Sequence, residues 1–174
     1  MEPSSDGHFR IERASDGDAP AIAHVHVASW GETYRGLLPD ALIDGMTVER
    51  RTGFWLGVLS DAASTTRVWV ARGGQQASDI VGFCSASPAG SVKDFADWEL
   101  GSLYLLQSWH GQGIGRALFA AACVMARDAG ARRIGFWVLQ GNLRAERFYA
   151  ACRAIPKAEK SGRGFVEVGY CVDL

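Results

Sequence analysis

ELGSLYLLQSWHGQGIGRALFAAA, residues Glu99 to Ala122, decides how the rest of the chain is read. Its apolar run, Leu100 to Leu106, reads as a strand. The run stops at Ser108-Trp109-His110-Gly111-Gln112-Gly113 and continues as a helix through Ile114, Ala117, Leu118, Ala121 and Met125. Glycines at 111, 113 and 115 permit a tight turn and leave its backbone N–H groups without side-chain cover. At a helix start those donors, together with the macrodipole, favour an anion. A strand feeding a glycine turn and a helix outlines a phosphate cradle.

The chain around it has 174 residues, enough to bury a substantial core as one domain. With 48% hydrophobic and 21% charged residues it is globular in composition. A net charge of −1 gives no electrostatic reason to expect nucleic acid or an anionic membrane as partner. Cys84, Cys123, Cys152 and Cys171 form no C-x-x-C pair and lie in apolar segments, so they read as reduced, buried thiols of a cytoplasmic protein. No stretch reaches membrane-spanning length and the first residues lack an apolar signal core.

Residues 1–8 read as a flexible tail and Phe9 to Arg13 as a short strand. Ser15 to Asp18 offers an N-cap with a carboxylate three residues on, and Pro20 suits the first turn of a helix carrying Ile22, Val25, Ser29 and Trp30. A second helical region covers Pro39 to Leu59, interrupted near Gly45 and Thr47. Thr65 to Ala71 and Asp79 to Ala86 form a hairpin about a turn containing Gly73-Gly74. After the central strand and helix come a strand from Arg133 to Leu139, a helix capped by Asn142, a polar segment from Pro156 to Gly164, and a last strand alternating Val166, Val168, Tyr170 and Val172. The predicted order is β-α-α-β-β-β-α-β-α-β, an α/β (α+β) domain over residues 9–174 with helices on both faces of a mixed sheet.

The glycine spacing is not the G-x-G-x-x-G of a dinucleotide fold, and no G-K-[ST] follows it. The element order and four separate stretches instead resemble the GNAT superfamily of acyl-CoA-dependent N-acetyltransferases. Leu103-Tyr104-Leu105 through Trp109-His110-Gly111-Gln112-Gly113-Ile114-Gly115-Arg116-Ala117-Leu118 is similar to that family's main acetyl-CoA motif. Phe136 to Leu139 followed by Asn142, Ala145, Phe148 and Tyr149 is similar to its second motif. Ile11 to Ile22 and Trp30 to Gly36 are also usual there. The chain departs from the pattern at His110, where Arg or Gln is usual; at Gln107, in place of a proline; and at Arg153-Ala154, in place of a Gly-Phe pair. The His110 position is used in the family mainly through its backbone N–H. The last departure leaves the path of residues 153–164 open.

The resemblance assigns the pyrophosphate of acetyl-CoA to His110, Gly111, Gln112, Gly113, Ile114, Gly115 and Arg116, and the pantetheine arm to the open edge of Leu103, Tyr104 and Leu105. A bulge in that strand would aim one N–H, that of Leu105, at the thioester carbonyl, a contribution of roughly 3 kcal/mol. Asn142 would bond the cofactor while capping its helix. Tyr149 is implied as general acid, because a phenol of reference pKa about 10 is protonated at neutral pH and can serve a thiolate of about 8.5. Glu99, at the start of the central strand, is the candidate base, with Asp97 and Glu32 as weaker ones. Trp30, Tyr34 and Arg35 border the acceptor side, Arg35 as a possible partner for a carboxylate. His24 and His26 project roughly 200° apart on a helix and share no metal; no metal is expected.

The expectation is acetyl transfer from acetyl-CoA to a primary amine of a small molecule, by direct attack in a ternary complex, with a homodimer as the family pattern. The sequence leaves open a non-catalytic acyl-CoA-binding or regulatory module, and an enzyme acting on protein N-termini or lysines.

Overall fold

The computed structural model describes residues 9–74 and 79–174. The expected tail at residues 1–8 and the hairpin tip at 75–78 lie outside the described residues. The strands are β1 (Arg10–Arg13), β2 (Arg67–Gly73), β3 (Asp79–Pro88), β4 (Trp98–Leu105), β5 (Arg133–Leu139), β6 (Ile155–Gly162) and β7 (Phe165–Asp173). The helices are α1 (Ala19–Tyr34), α2 (Asp40–Asp44), α3 (Val48–Ser60), α4 (Ile114–Asp128) and α5 (Leu143–Ala151). The strands form one sheet in the order β1-β2-β3-β4-β5-β7-β6, antiparallel throughout except where β4 meets β5.

Both faces are covered because the strands carry apolar side chains on both. On one face Val68, Val70 and Phe83 pack under Ile22 and Val25 of α1 and Trp55 of α3. On the other, Cys84, Leu100, Ile134 and Phe136 pack under Ile114, Leu118 and Phe119 of α4 and Tyr149 of α5. Each such fully buried aliphatic or aromatic side chain contributes about 1.5–3 kcal/mol. The chain enters α1 through a capping box in which the Ser15 N–H and hydroxyl both reach Asp18 Oδ2, at 2.9 and 3.0 Å. The other Asp18 oxygen pairs with Arg72 of β2 at 2.8 Å, which pins the helix start to the sheet.

The mixed sheet has one weak seam. Strands β4 and β5 run parallel and pair only at Trp98–Ile134 and Glu99–Gly135, after which they diverge. The β3–β4 register also slips between Ser85 and Ala86, which face Ser102 and Leu100, so Gly101 is an extra residue in β4. Such a bulge bends its strand and increases its twist.

The structure adds one strand to the predicted order and divides the helical region at the interruption expected near Gly45 and Thr47. The polar segment from Pro156 to Gly164 is largely a strand, β6, paired antiparallel with β7 at the sheet edge. Its residues are nearly all exposed, so no apolar alternation announces it. The hairpin turns at Arg163 and Gly164, both at positive φ (54° and 85°), the geometry of a two-residue turn that follows strand twist. The helical region from Pro39 to Leu59 is two helices, α2 and α3, and Thr47 caps the second by accepting from Arg50 N–H at 3.3 Å.

Candidate functional site

Where β4 and β5 part, a cavity of about 890 Å³ opens. It runs through the sheet, because its lining includes the α4 start and α5 on one face and Ser29, Thr33 and Tyr34 of α1 on the other. Two molecules can therefore meet in it from opposite faces.

At the α4 end, Gly111 and Gly113 take positive φ values of 80° and 82°. Gly113 is the N-cap and supplies no side chain. The first backbone bond of α4 is Ala117 N–H to Gly113 C=O at 3.0 Å. The N–H groups from Gly111 to Arg116 consequently have no partner among the described residues, the arrangement that suits an anion at a helix start. Arg116 and Arg144 line the cavity beside it, as do Gly111, Gly113, Ile114 and Gly115, whereas Gln112 does not.

His110 differs from expectation. Its backbone N–H donates to the Gln107 carbonyl at 3.1 Å and is not part of the cradle. Its side chain is the working part: Nε2 donates to the Leu105 carbonyl at 2.9 Å, and Nδ1 accepts from the Arg144 guanidinium. The imidazole thus braces the glycine turn between the end of β4 and the first turn of α5.

Along β4, Leu106 N–H donates to Val81 of β3 at 3.0 Å. Peptide groups alternate sides along an antiparallel strand, so those of Leu103 and Leu105 turn to the open edge, as the His110 bond to the Leu105 carbonyl independently shows. With no β5 pairing beyond Glu99, that edge faces the cavity. The bulge in β4 lies at Gly101, four residues before Leu105.

Tyr149 is buried and lies on the cavity wall, its ring 4.0 Å from that of Phe136 and 5.8 Å from that of Phe119. Its hydroxyl has no hydrogen-bond partner among the described residues. Burial holds its pKa well above the ordinary phenol value, so it is a proton-bearing donor at all physiological pH. Asn142 also lines the cavity, and its Oδ1 caps α5 by accepting from Ala145 N–H at 3.2 Å. None of the cysteines is in the lining; Cys84 is buried in the core and burial pushes its thiol up to about 12.

On the α1 side, the Tyr104 hydroxyl sits between Trp30 Nε1, which donates to it at 2.9 Å, and the Tyr34 hydroxyl. Tyr34 and Tyr104 line the cavity, and Trp30 stands behind them. Arg35 is not brought to the site: its guanidinium pairs with Asp40 and Asp44 of α2, at 3.1 and 2.7 Å, on the surface. His26 is buried against Tyr104 and accepts from Trp55 Nε1 at 3.1 Å, while His24 is exposed.

The candidate bases also lie elsewhere. Glu99 accepts from Gly90 N–H (3.2 Å), Ser91 N–H (2.7 Å) and Ser91 Oγ (2.6 Å), so its carboxylate holds the β3–β4 loop and is outside the cavity lining. Asp97 accepts from the backbone of Arg132 and Arg133 at 2.8 and 3.0 Å, and Glu32 from Gln107 N–H at 2.9 Å. The Glu99 side chain reaches the cavity only indirectly, because Ser91 Oγ accepts from Trp137 Nε1 at 3.0 Å and Trp137 is a wall residue. Sequence reasoning missed Ser29, Thr33, Trp137 and Arg144 as site residues. The signal available was their position, on the buried face of α1, on the second-motif strand and in the first turn of the helix that Asn142 caps.

A bare helix start, the open edge of a splayed sheet and a buried tyrosine line the same cavity, the arrangement expected of an acyl-CoA-dependent acyltransferase. A profile of the acetyltransferase (GNAT) family matches residues 21–153, and the chain belongs to that family. It is 30% identical over 132 residues to the uncharacterized N-acetyltransferase YuaI of Bacillus subtilis (strain 168), spanning 76% of this chain and 72% of that one. The uncharacterized N-acetyltransferase Rv2669 of Mycobacterium tuberculosis (strain ATCC 25618 / H37Rv) is 47% identical over 57 residues, 33% of this chain and 36% of its own. In fold, the chain is similar to the PaiA N-acetyltransferase of Thermoplasma acidophilum in complex with coenzyme A, with a TM-score of 0.75 at 20% identity over 93% of this chain and 98% of that one. Among the described residues, no helix is long and apolar enough to cross a membrane.

Proposed function

We propose that this acetyltransferase moves the acetyl group of acetyl-CoA to a primary amine of a small molecule by direct attack in a ternary complex. The observation that carries this reading is the position of Tyr149, whose hydroxyl is unpartnered among the described residues and which lines a cavity joining the glycine turn to the α1 wall. The pyrophosphate rests on the N–H groups of Gly111 to Arg116, flanked by Arg116 and Arg144. The open-edge N–H groups of Leu103 and Leu105 are the donors for the pantetheine amides and the thioester carbonyl oxygen, where one preorganised donor is worth about 3 kcal/mol. Asn142, which lines the same cavity, contacts the same donor molecule. The similarly folded Thermoplasma acidophilum neighbour is in complex with coenzyme A, which supports a coenzyme A thioester as the donor.

The acceptor enters from the α1 side, past Tyr34 and Tyr104, whose hydroxyls Trp30 helps to fix. The amine nitrogen attacks the thioester carbon, the C–N bond forms and the C–S bond breaks. Tyr149 gives its proton to the departing sulfur, and the amine's surplus proton leaves to solvent. The absence of any cysteine from the described cavity lining favours direct attack over an acyl-enzyme. Free-thiol release from acetyl-CoA across a panel of amines tests the reading; tight acetyl-CoA binding without release for any amine would favour a regulatory binding module.

A further inference from the structure

We infer that the acceptor is a weakly basic, uncharged amine on a flat apolar body, an arylamine in chemical class, held at the Ser29 hydroxyl; this rests on the acetyl-transfer reading above. Ser29 is 2% exposed, lines the cavity, and its Oγ has no hydrogen-bond partner. A buried hydroxyl without a partner costs about 1–3 kcal/mol, so this wall is built to receive a polar group. A neutral amine satisfies it either way, as an N–H donor or through its lone pair. An ammonium can only donate to it, and its charge needs an anion besides.

No anion is provided. Among the described residues, no Asp or Glu lines the cavity, and its charged side chains are Arg116 and Arg144 at the cradle end. Glu167 of β7 exerts its field on the Tyr34 and Tyr104 hydroxyls, but its carboxylate is paired with Lys160 at 3.1 Å. The same Lys160 ammonium stands 4.1 Å over the ring of Trp137, so a cation already occupies that aromatic wall. Arg51 adds a further positive field at Tyr104 and His26. Glu32, Asp97 and Glu99 are engaged by backbone N–H groups outside the cavity. An ammonium entering here would be a desolvated cation with no unpaired carboxylate to meet it, a penalty of several kcal/mol. Tyr34 and Tyr104 instead supply apolar aromatic walls suited to a ring.

The chemistry agrees with the walls. Attack needs the nitrogen lone pair, and no carboxylate in the cavity is placed to uncover it. An alkylamine of reference pKa about 10.4 is neutral in only about one molecule in a thousand near pH 7.4, whereas an arylamine arrives neutral. Its nitrogen bonds the acetyl carbon, one N–H proton passes to water, sulfur leaves with the Tyr149 proton, and the phenolate is reprotonated from solvent.

The test is thiol release from acetyl-CoA by the full chain with 4-methylaniline, 4-methylbenzylamine or spermidine between pH 6.5 and 9. We expect 4-methylaniline to give the highest kcat/KM at pH 7 with a flat profile, 4-methylbenzylamine to rise about tenfold per pH unit, and spermidine to be poorest. Ser29→Ala should raise the 4-methylaniline KM about threefold to tenfold and leave the calorimetric Kd for acetyl-CoA unchanged. Preference for spermidine or for the benzylamine at pH 7, or an unchanged KM in Ser29→Ala, overturns the inference while sparing acetyl transfer. No release with any of the three despite acetyl-CoA binding overturns both.

Discussion

Trp30 Nε1 donates to the hydroxyl of Tyr104 at 2.9 Å across 74 residues of sequence. The bond ties α1, which walls the proposed acceptor side, to β4, whose unpaired edge faces the cavity. Trp30→Phe keeps the aromatic body and removes the donor. It should lower stability by about 1 kcal/mol, a Tm shift of about 2–4 °C. Acceptor KM should rise severalfold while acetyl-CoA affinity holds, as steady-state kinetics and calorimetry would show.

His26 makes the fold acid-sensitive. Unfolded, an imidazole titrates near 6.5; in the fold, burial and then Arg51 lower it to about 4. Between those values the unfolded chain binds the extra proton, so stability from this group is complete above pH 6.5 and falls as pH drops toward 4, by about 3 kcal/mol in all. Denaturant titrations at pH 7 and 5 should show the loss in the natural chain, and a His26→Gln variant should show it reduced.

Gly113 has nothing within 4 Å of where a Cβ would stand, but its φ is +82°. Gly113→Ala therefore acts through backbone strain of about 1–2 kcal/mol, which the turn relieves by rotating its N–H groups out of the cradle. Acetyl-CoA Kd measured by calorimetry should rise at least about tenfold, since 1.4 kcal/mol is a factor of ten.

Arg153 follows α5 at φ +62°, the left-handed conformation that costs a residue with a Cβ about 1 kcal/mol. Arg153→Gly should raise Tm by about 2–4 °C in a thermal melt, leaving kinetics alone because the side chain does not line the site cavity.

The donor half of the site was legible because its geometry is local. Gly111 and Gly113 are glycines for their φ values, the bare N–H groups follow from the helix start, and Asn142 caps α5 as its position predicts. The acceptor half was not, because it depends on which side chains tertiary contacts consume. Nothing near Glu99 in sequence says that Gly90 and Ser91 take its carboxylate, nor that Asp40 and Asp44 take Arg35. Ser29 reads from its spacing as a buried position, but only packing shows that its hydroxyl lacks a partner. Strand β6 escaped for another reason: an exposed edge needs no apolar face.

The central claim is that Tyr149 delivers a proton to the departing sulfur of acetyl-CoA. Single-turnover thiol release by Tyr149→Phe, with a saturating amine that the natural chain acetylates, tests it most directly. The phenyl ring preserves the packing on Phe136, so acetyl-CoA Kd should stay within about twofold while the rate falls about 100-fold or more. An unchanged rate across pH 6.5–9 would contradict the assignment.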